Sequence, residues 1–233
     1  AHEVSAYFEL HIEQGPILEA EEKTIGIVTS AQGQRWYEIT IIGQESHAGP
    51  TPMPRRRDAL VAGAKIIQEV QNIGNRHTPN ACATVGHIQA YPNSRNVIPG
   101  KVFLTIDFRH PDDDTLTAMD TELKTFCRNL EVTDKINVNV VNFWHFPATL
   151  FDNDCIQAVK EGAKIGDYPH MEIVSGAGHD AVYLADKVPT AMIFVPCENG
   201  ISHNEIENVT PEDCSAGCQV LLHAVLTRAE KQS

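Results

Sequence analysis

His11 and His203 lie near opposite ends of the chain, and each stands among residues able to do chemistry. The first cluster reads His11-Ile12-Glu13-Gln14-Gly15-Pro16, and the second Ser202-His203-Asn204-Glu205. Between them come Ser46-His47-Ala48-Gly49-Pro50, Asp107-Phe108-Arg109-His110 and Gly176-Ala177-Gly178-His179-Asp180. A neutral imidazole is a good ligand for zinc or manganese, and two histidines this far apart need a fold to unite them. Taken singly, His11 and His203 can each be a metal ligand or a structural histidine. His47, ahead of Ala-Gly-Pro-Thr-Pro, reads as a turn residue or as a group that meets substrate. The Gly-Ala-Gly run before His179 either offers backbone N–H groups to an oxyanion, with Gly178 allowing close approach, or is a tight turn. Arg109 shares the polar face of a strand with Asp107 and Thr105. It forms a salt bridge there, or its fork clamps a substrate carboxylate. Asn96 sits in a turn region, where Asn often serves the backbone. In combination these clusters suggest a hydrolytic metal site assembled from distant segments.

The elements that must position them follow from periodicity. Phe8, Leu10 and Ile12 alternate with Tyr7, Glu9, His11 and Glu13, which predicts a strand that Gly15-Pro16 breaks. From Gln34 to about His145 the pattern is β-α-β-β-α-β, a split βαβ unit. Its strands cover Trp36–Ile42, Ala83–Tyr91, Lys101–Arg109 and a segment with Ile136, Val138 and Val140. Its helices run over Asp58–Ile73, with Gly74 as the stop, and onward from Pro111-Asp112-Asp113-Asp114. After residue 150 helices and strands alternate. Helices are expected over Asp152–Ile165, Asp180–Ala185 and from Thr210-Pro211 to about Arg228, and strands over Glu172–Val174 and Ala191–Val195. Residues 1–33 and 146–233 are therefore expected to form one α/β domain, with residues 34–145 inserted into it.

Composition narrows the function. A chain of 233 residues suits one large domain or two small ones. A net charge of −13 argues against a nucleic-acid partner, because phosphate binding needs clustered Lys and Arg. The one basic run, Arg55-Arg56-Arg57, reads as a solvated helix start. No apolar run approaches the roughly 18 residues of a membrane helix, and no secretory h-region is visible. The six cysteines form no C-x-x-C pair and no disulfide framework, which points to a reducing, cytoplasmic setting. Cys214 and Cys218, one helical turn apart, read as part of a buried helix face, with a metal or redox pair as the alternative.

Six segments together resemble one family. They are YFELHIEQGPILE (Tyr7 to Glu19), GQESHAGPTPMPRRR (Gly43 to Arg57), NVIPG (from Asn96), DFRHP (from Asp107), GAGHDA (from Gly176) and SHNE (from Ser202). They look like the amidase/hydantoinase/carbamoylase branch of the M20 metallopeptidase-like hydrolases. That branch includes N-carbamoyl-L-amino acid hydrolases, allantoate amidohydrolases and β-ureidopropionases. HIEQGP and SHAGPTPM favour this branch over M20 dipeptidases and aminoacylases. The resemblance implies an M20-type zinc-hydrolase catalytic layer of α/β class, with a ferredoxin-like lid and dimerisation domain inserted at residues 34–145. It implies that His11 and His203 each ligate one ion of a two-metal centre (zinc, manganese, cobalt or nickel). It further implies that Gln14, His47, Asn96, Arg109 and Gly178 hold a small N-carbamoyl or ureido acid, with His47 also catalytic at the oxyanion. A homodimer is implied, with no nucleic-acid or membrane partner. The family also has an upstream half with a His, a bridging Asp, a metal-binding Glu and a Glu general base, and nothing in this sequence matches it. The chain is expected to be the C-terminal part of such an enzyme, which leaves an inactive dimerisation or scaffold fragment as the reading of another class.

Overall fold

The structure, a computed structural model, describes residues 4–230. The chain opens with strand β1 (Tyr7–Ile12), one helical turn α1 (Ile17–Ala20) and strand β2 (Ile25–Ala31). Then come β3 (Gly33–Ile42), β4 (Ser46–His47), α2 (Ala59–Arg76), β5 (Cys82–Tyr91) and β6 (Val97–Ile98). They are followed by β7 (Lys101–His110), α3 (Asp113–Asp134), β8 (Asn137–Phe146) and β9 (Thr149–Leu150). The last are α4 (Asn153–Ile165), β10 (His170–Ser175), α5 (Asp180–Leu184), β11 (Thr190–Val195) and α6 (Pro211–Glu230). These elements form two compact units, one of the segments through Gln32 and from Thr149 onward, the other Gly33–Ala148.

The first unit is an α/β layer. Its sheet runs β1-β11-β2-β10, with β9 also paired to β2. β1 is parallel to β11 and β10 is parallel to β2, while β11 and β2 are antiparallel. Strands from both ends of the sequence therefore share one sheet. β2 and β11 are its inner strands, and all six residues of β11 are buried. Such strands read as continuous apolar runs with no alternation. That is why Ile25, Ile27 and Val28, at most 1% exposed, gave no period-2 signal for β2. Each large side chain buried there contributes about 1.5–3 kcal/mol. α4 begins at Asp152, whose carboxylate accepts from Cys155 N at 2.9 Å, and ends at Gly166. α6 begins at Thr210, whose hydroxyl accepts from Asp213 N at 3.0 Å. Both helices pack against β11 and each other.

α6 corrects one expectation. Cys214 and Cys218 are exposed, not part of a buried face. The residues that α6 turns inward are Ala216, Gly217, Val220 and Ala224. A Cβ on Gly217 would lie 2.6 Å from Leu10 Cδ1 and 2.8 Å from Val195 Cγ1. The helix thus sits on the sheet through its small residues, and the cysteines fall on the opposite side.

The second unit is a four-stranded antiparallel sheet, in the order β5-β7-β3-β8, with α2 and α3 packed on it. Tyr37, Ile39 and Ile41 of β3 and Val102, Leu104, Ile106 and Phe108 of β7 face the helices. α2 contributes Ile66, Val70 and Ile73 to this core, and α3 contributes Leu116, Met119, Leu123 and Leu130. Asp58 caps α2, accepting from Leu60 N and Val61 N at 3.0 and 3.2 Å. Gly74 does not stop α2, which runs on to Arg76. It is buried, and a Cβ there would meet Ala83 Cβ at 2.9 Å, so the glycine serves close helix–strand contact. β4 and β6 form a separate two-stranded ribbon that periodicity did not foreshadow, each strand being only two residues long.

Candidate active site

His11 is the fifth of six residues in β1, level with Phe194 of β11. The two strands run parallel, so the segments that follow them leave the sheet at the same end. One carries Glu13-Gln14-Gly15-Pro16 and the other runs on to His203. Glu13 is buried, and its two carboxylate oxygens accept from Ile17 N at 2.8 Å and Leu18 N at 2.7 Å. Its part is to pin the turn that carries Gln14. Gln14 and His203 both adopt left-handed backbone, with φ of 58° and 54°. Non-glycine residues hold that conformation only when their surroundings enforce it.

Hydrogen bonds join the two segments. Gln14 Nε2 donates to Ser202 Oγ at 3.0 Å, and Ser202 Oγ donates to Glu207 Oε2 at 2.5 Å. His203 N donates to the same carboxylate oxygen at 3.2 Å. The Ser202 hydroxyl holds the Glu207 carboxyl below the usual carboxylate range, against the opposing effect of desolvation. The His203 N–H adds to this lowering.

His11 Nδ1 lies 2.9 Å from the Ile12 carbonyl oxygen. A carbonyl only accepts, so Nδ1 carries the proton and the lone pair is left on Nε2, the form a metal ligand takes. The His11 ring meets His179 edge-on at 4.7 Å, and His179 in turn meets Phe194 at 5.5 Å. His179 follows exposed Gly178 in the loop between β10 and α5. Its Nε2 is 2.9 Å from Ser175 Oγ, and its Nδ1 is 3.8 Å from Glu9 Oε1. Glu9 also accepts from Ala181 N at 2.7 Å, which ties β1 to the start of α5.

Burial, with His11 alongside, pushes the His179 pKa down to about 4. The unfolded chain takes up that proton near pH 6.5. Stability from keeping His179 neutral is therefore present above about pH 6.5 and is lost as pH falls towards 4, on the order of 1–3 kcal/mol. Urea unfolding of the metal-free protein at pH 7, 5.5 and 4.5 measures it. The fall should be smaller in His179→Gln, and an equal fall in both proteins would assign it to other groups.

In the second unit the β4–β6 ribbon brings His47 and Asn96 together. His47 pairs with Val97, and Ala48 N donates to Asn96 O at 2.9 Å. The Asn96 side chain accepts from Ser94 Oγ at 2.9 Å. His47 Nδ1 accepts from Gly49 N at 3.0 Å, so its proton resides on Nε2 and that edge of the ring is a donor. The basic run is not simply solvated. Arg56 donates to Ala48 O at 2.7 Å and Thr51 O at 3.1 Å, bracing the loop behind His47. Arg109 lies on β7, and its guanidinium holds Asp107 through Nη2 at 2.6 Å and Nε at 3.0 Å. The salt bridge is thus formed, and a substrate carboxylate would have to share or displace Asp107.

The α/β layer, the inserted antiparallel sheet and the paired histidine segments together define an M20-type hydrolase fold. The model of peptidase family M20/M25/M40 matches residues 1–227, and the chain belongs to that family. Among solved structures it is similar to an amidase of the hydantoinase/carbamoylase family from Burkholderia multivorans. The two are 58% identical with a TM-score of 0.94, over 98% of this chain and 56% of the other. It is 46% identical to an N-carbamoyl-L-amino-acid amidohydrolase of Rhizobium meliloti, over 99% of this chain and 55% of that protein. It is 35% identical to the allantoate amidohydrolase of Escherichia coli K12, over 94% of this chain and 53% of that protein. The chain spans about half the length of the relatives it matches.

Two imidazoles, one with its lone pair on Nε2, suit divalent ions in kind. In number they fall short, since a zinc site takes about four ligands. Among the described residues no group of three or more His, Cys, Asp or Glu could hold a metal ion. Taken alone, these two donors do not make up a metal centre.

Proposed function

We propose that this chain belongs to an amidohydrolase that cleaves the carbamoyl C–N bond of N-carbamoyl-L-amino acids. The observation that carries the reading is His11, held with Nε2 as the ligand edge, in the segment whose Gln14 is tied through Ser202 and Glu207 to the backbone of His203. In this reading His11 and His203 each serve one of two divalent ions, drawn from zinc, manganese, cobalt or nickel. Such a pair, when bound, polarises a carbonyl and acidifies a water. Gln14, Asn96 and Arg109 position the acid end of the substrate, and exposed Gly178 permits close approach of its backbone. His47, with its proton on Nε2, donates to the oxyanion of the tetrahedral intermediate. The second unit serves as the lid and as the dimer contact. All six cysteines are free, which suits a reducing cytoplasm. No helix among the described residues is long and apolar enough to cross a membrane. The 46% identity to the carbamoyl hydrolase of Rhizobium meliloti supports the choice of substrate.

A second reading, a dimerisation or scaffold chain without turnover, draws on the missing third ligand among the described residues. One assay separates the alternatives. The protein is given Mn²⁺, Co²⁺ or Zn²⁺ and offered N-carbamoyl-L-amino acids and allantoate in parallel. At least about tenfold higher kcat/KM on the carbamoyl substrates, roughly 1.4 kcal/mol, is expected. Preference for allantoate moves the substrate to that class, and hydrolysis of neither leaves the scaffold. Arg109→Lys is expected to lose about ten- to a hundredfold in kcat/KM, chiefly through KM, because Lys keeps the charge and loses the fork. Unchanged kinetics would confine Arg109 to its bond with Asp107.

A further inference from the structure

Glu207 lies outside every motif of the proposed site, yet two of that site's residues, Gln14 and His203, are tied to it. Its carboxylate receives the Ser202 hydroxyl directly, and through that hydroxyl the Gln14 amide, which comes from the other end of the sequence. It also receives the backbone N–H of His203, a residue in left-handed backbone. The turn that presents Glu207 is itself fixed: Glu207 N donates to Asn204 O at 3.0 Å, and Ile206 N donates to Asn204 Oδ1 at 3.2 Å. One carboxylate oxygen therefore ties the His203 backbone to the segment that carries His11 and Gln14.

We infer that Glu207 is a positioning residue that holds His203 and Gln14 in register. The inference rests on the proposed role of His203. Physically, a charged acceptor is the right group here. It can take several N–H and O–H donors at once, and such bonds are shorter and stronger than neutral ones. It also offsets the cost of the left-handed backbone at His203. The groups around a metal ligand govern its orientation, and losing one commonly costs ten- to a hundredfold in affinity.

The test uses amide hydrogen exchange and zinc titration on the same variants. Glu207→Ala is expected to speed exchange of the His203 amide at least about tenfold, while the amides of β1 and β11 stay protected. Glu207→Gln keeps an acceptor oxygen and should restore His203 to within about threefold of wild type. Asn208→Ala breaks another bond of the same loop, Asn208 Nδ2 to Glu198 Oε2 at 2.9 Å. It should leave the His203 amide unchanged, which separates positioning from general loosening of the loop. Zinc affinity should fall about ten- to a hundredfold in Glu207→Ala and recover in Glu207→Gln. Should Glu207→Ala unfold the chain, Ser202→Ala is the second variant, expected to loosen the Gln14 side-chain amide and leave the fold intact. An unchanged His203 amide in Glu207→Ala, no repair by Glu207→Gln, or the same effect from Asn208→Ala would each overturn the assignment. If His203→Ala leaves zinc binding unchanged, the ligand role fails, and the exchange data alone judge Glu207.

Discussion

Replacement of His203 by alanine is expected to remove most of the bound metal and at least about a thousandfold of kcat/KM, roughly 4 kcal/mol. The size follows from the donor count. With no group of three donors among the described residues, each imidazole is a large share of what the chain would offer to the proposed ions. His11→Ala should match it, since in the proposed reading the two serve neighbouring ions of a centre that works as a unit, whose single losses do not add. The double variant should therefore be little worse than either alone. Metal content by atomic absorption gives a readout independent of turnover. The ligand assignment fails if both single variants keep wild-type metal content.

The second large effect is structural. Gly200 has a φ of 63°, and a Cβ placed on it would lie 2.7 Å from Pro16 Cα and Cβ and 2.8 Å from Pro16 N. Gly200→Ala would thus add left-handed strain and drive the loop before His203 away from Gly15-Pro16. Each of these costs about 1–3 kcal/mol, and together they should lower stability by about 3 kcal/mol or more. Backbone crowds Pro16 here, so a side-chain rotation cannot relieve the overlap. Urea unfolding should show the loss as a lower midpoint. The Gln14–Ser202 bond should break with it, weakening zinc binding as well. Wild-type stability in Gly200→Ala would mean that the two turns yield easily and are not held in register.

Much of this architecture was legible because its signals are local. Alternation placed β1; β-rich runs and the Pro92-Asn93-Ser94 turn region placed β3, β5 and β7; and Asp152, Gly166 and Thr210-Pro211 marked helix ends where the structure has them. The dense runs around His11 and His203 drew attention by composition alone. What stayed hidden depends on tertiary surroundings. β2 is buried between two neighbours and so does not alternate. Cys214 and Cys218 look buried until Gly217 and its small neighbours are seen to form the packing face. The β4–β6 ribbon that unites His47 with Asn96 is too short to have a period. Glu207 has no signature at all, because its partners are a hydroxyl and a backbone N–H near it in sequence. Arg109 was open between two roles, and the structure fills one of them.

The pairing at the edges of the two units has a consequence for how the molecule can be taken apart. In the first unit Ser30 and Ala31 lie level with Leu150 and Thr149, and in the second Gln34 lies level with Phe146. Each unit thus keeps its own two ends about 5 Å apart, the spacing of adjacent strands. The loop-closure entropy of so long an insertion is met inside each ladder, and neither unit depends on the other to bring its ends together. The segment Gly33–Ala148 is therefore expected to fold when excised, which circular dichroism and urea unfolding of the isolated segment would check. A two-residue hairpin turn could stand in its place, and the segment could be spliced into any exposed hairpin of an unrelated host.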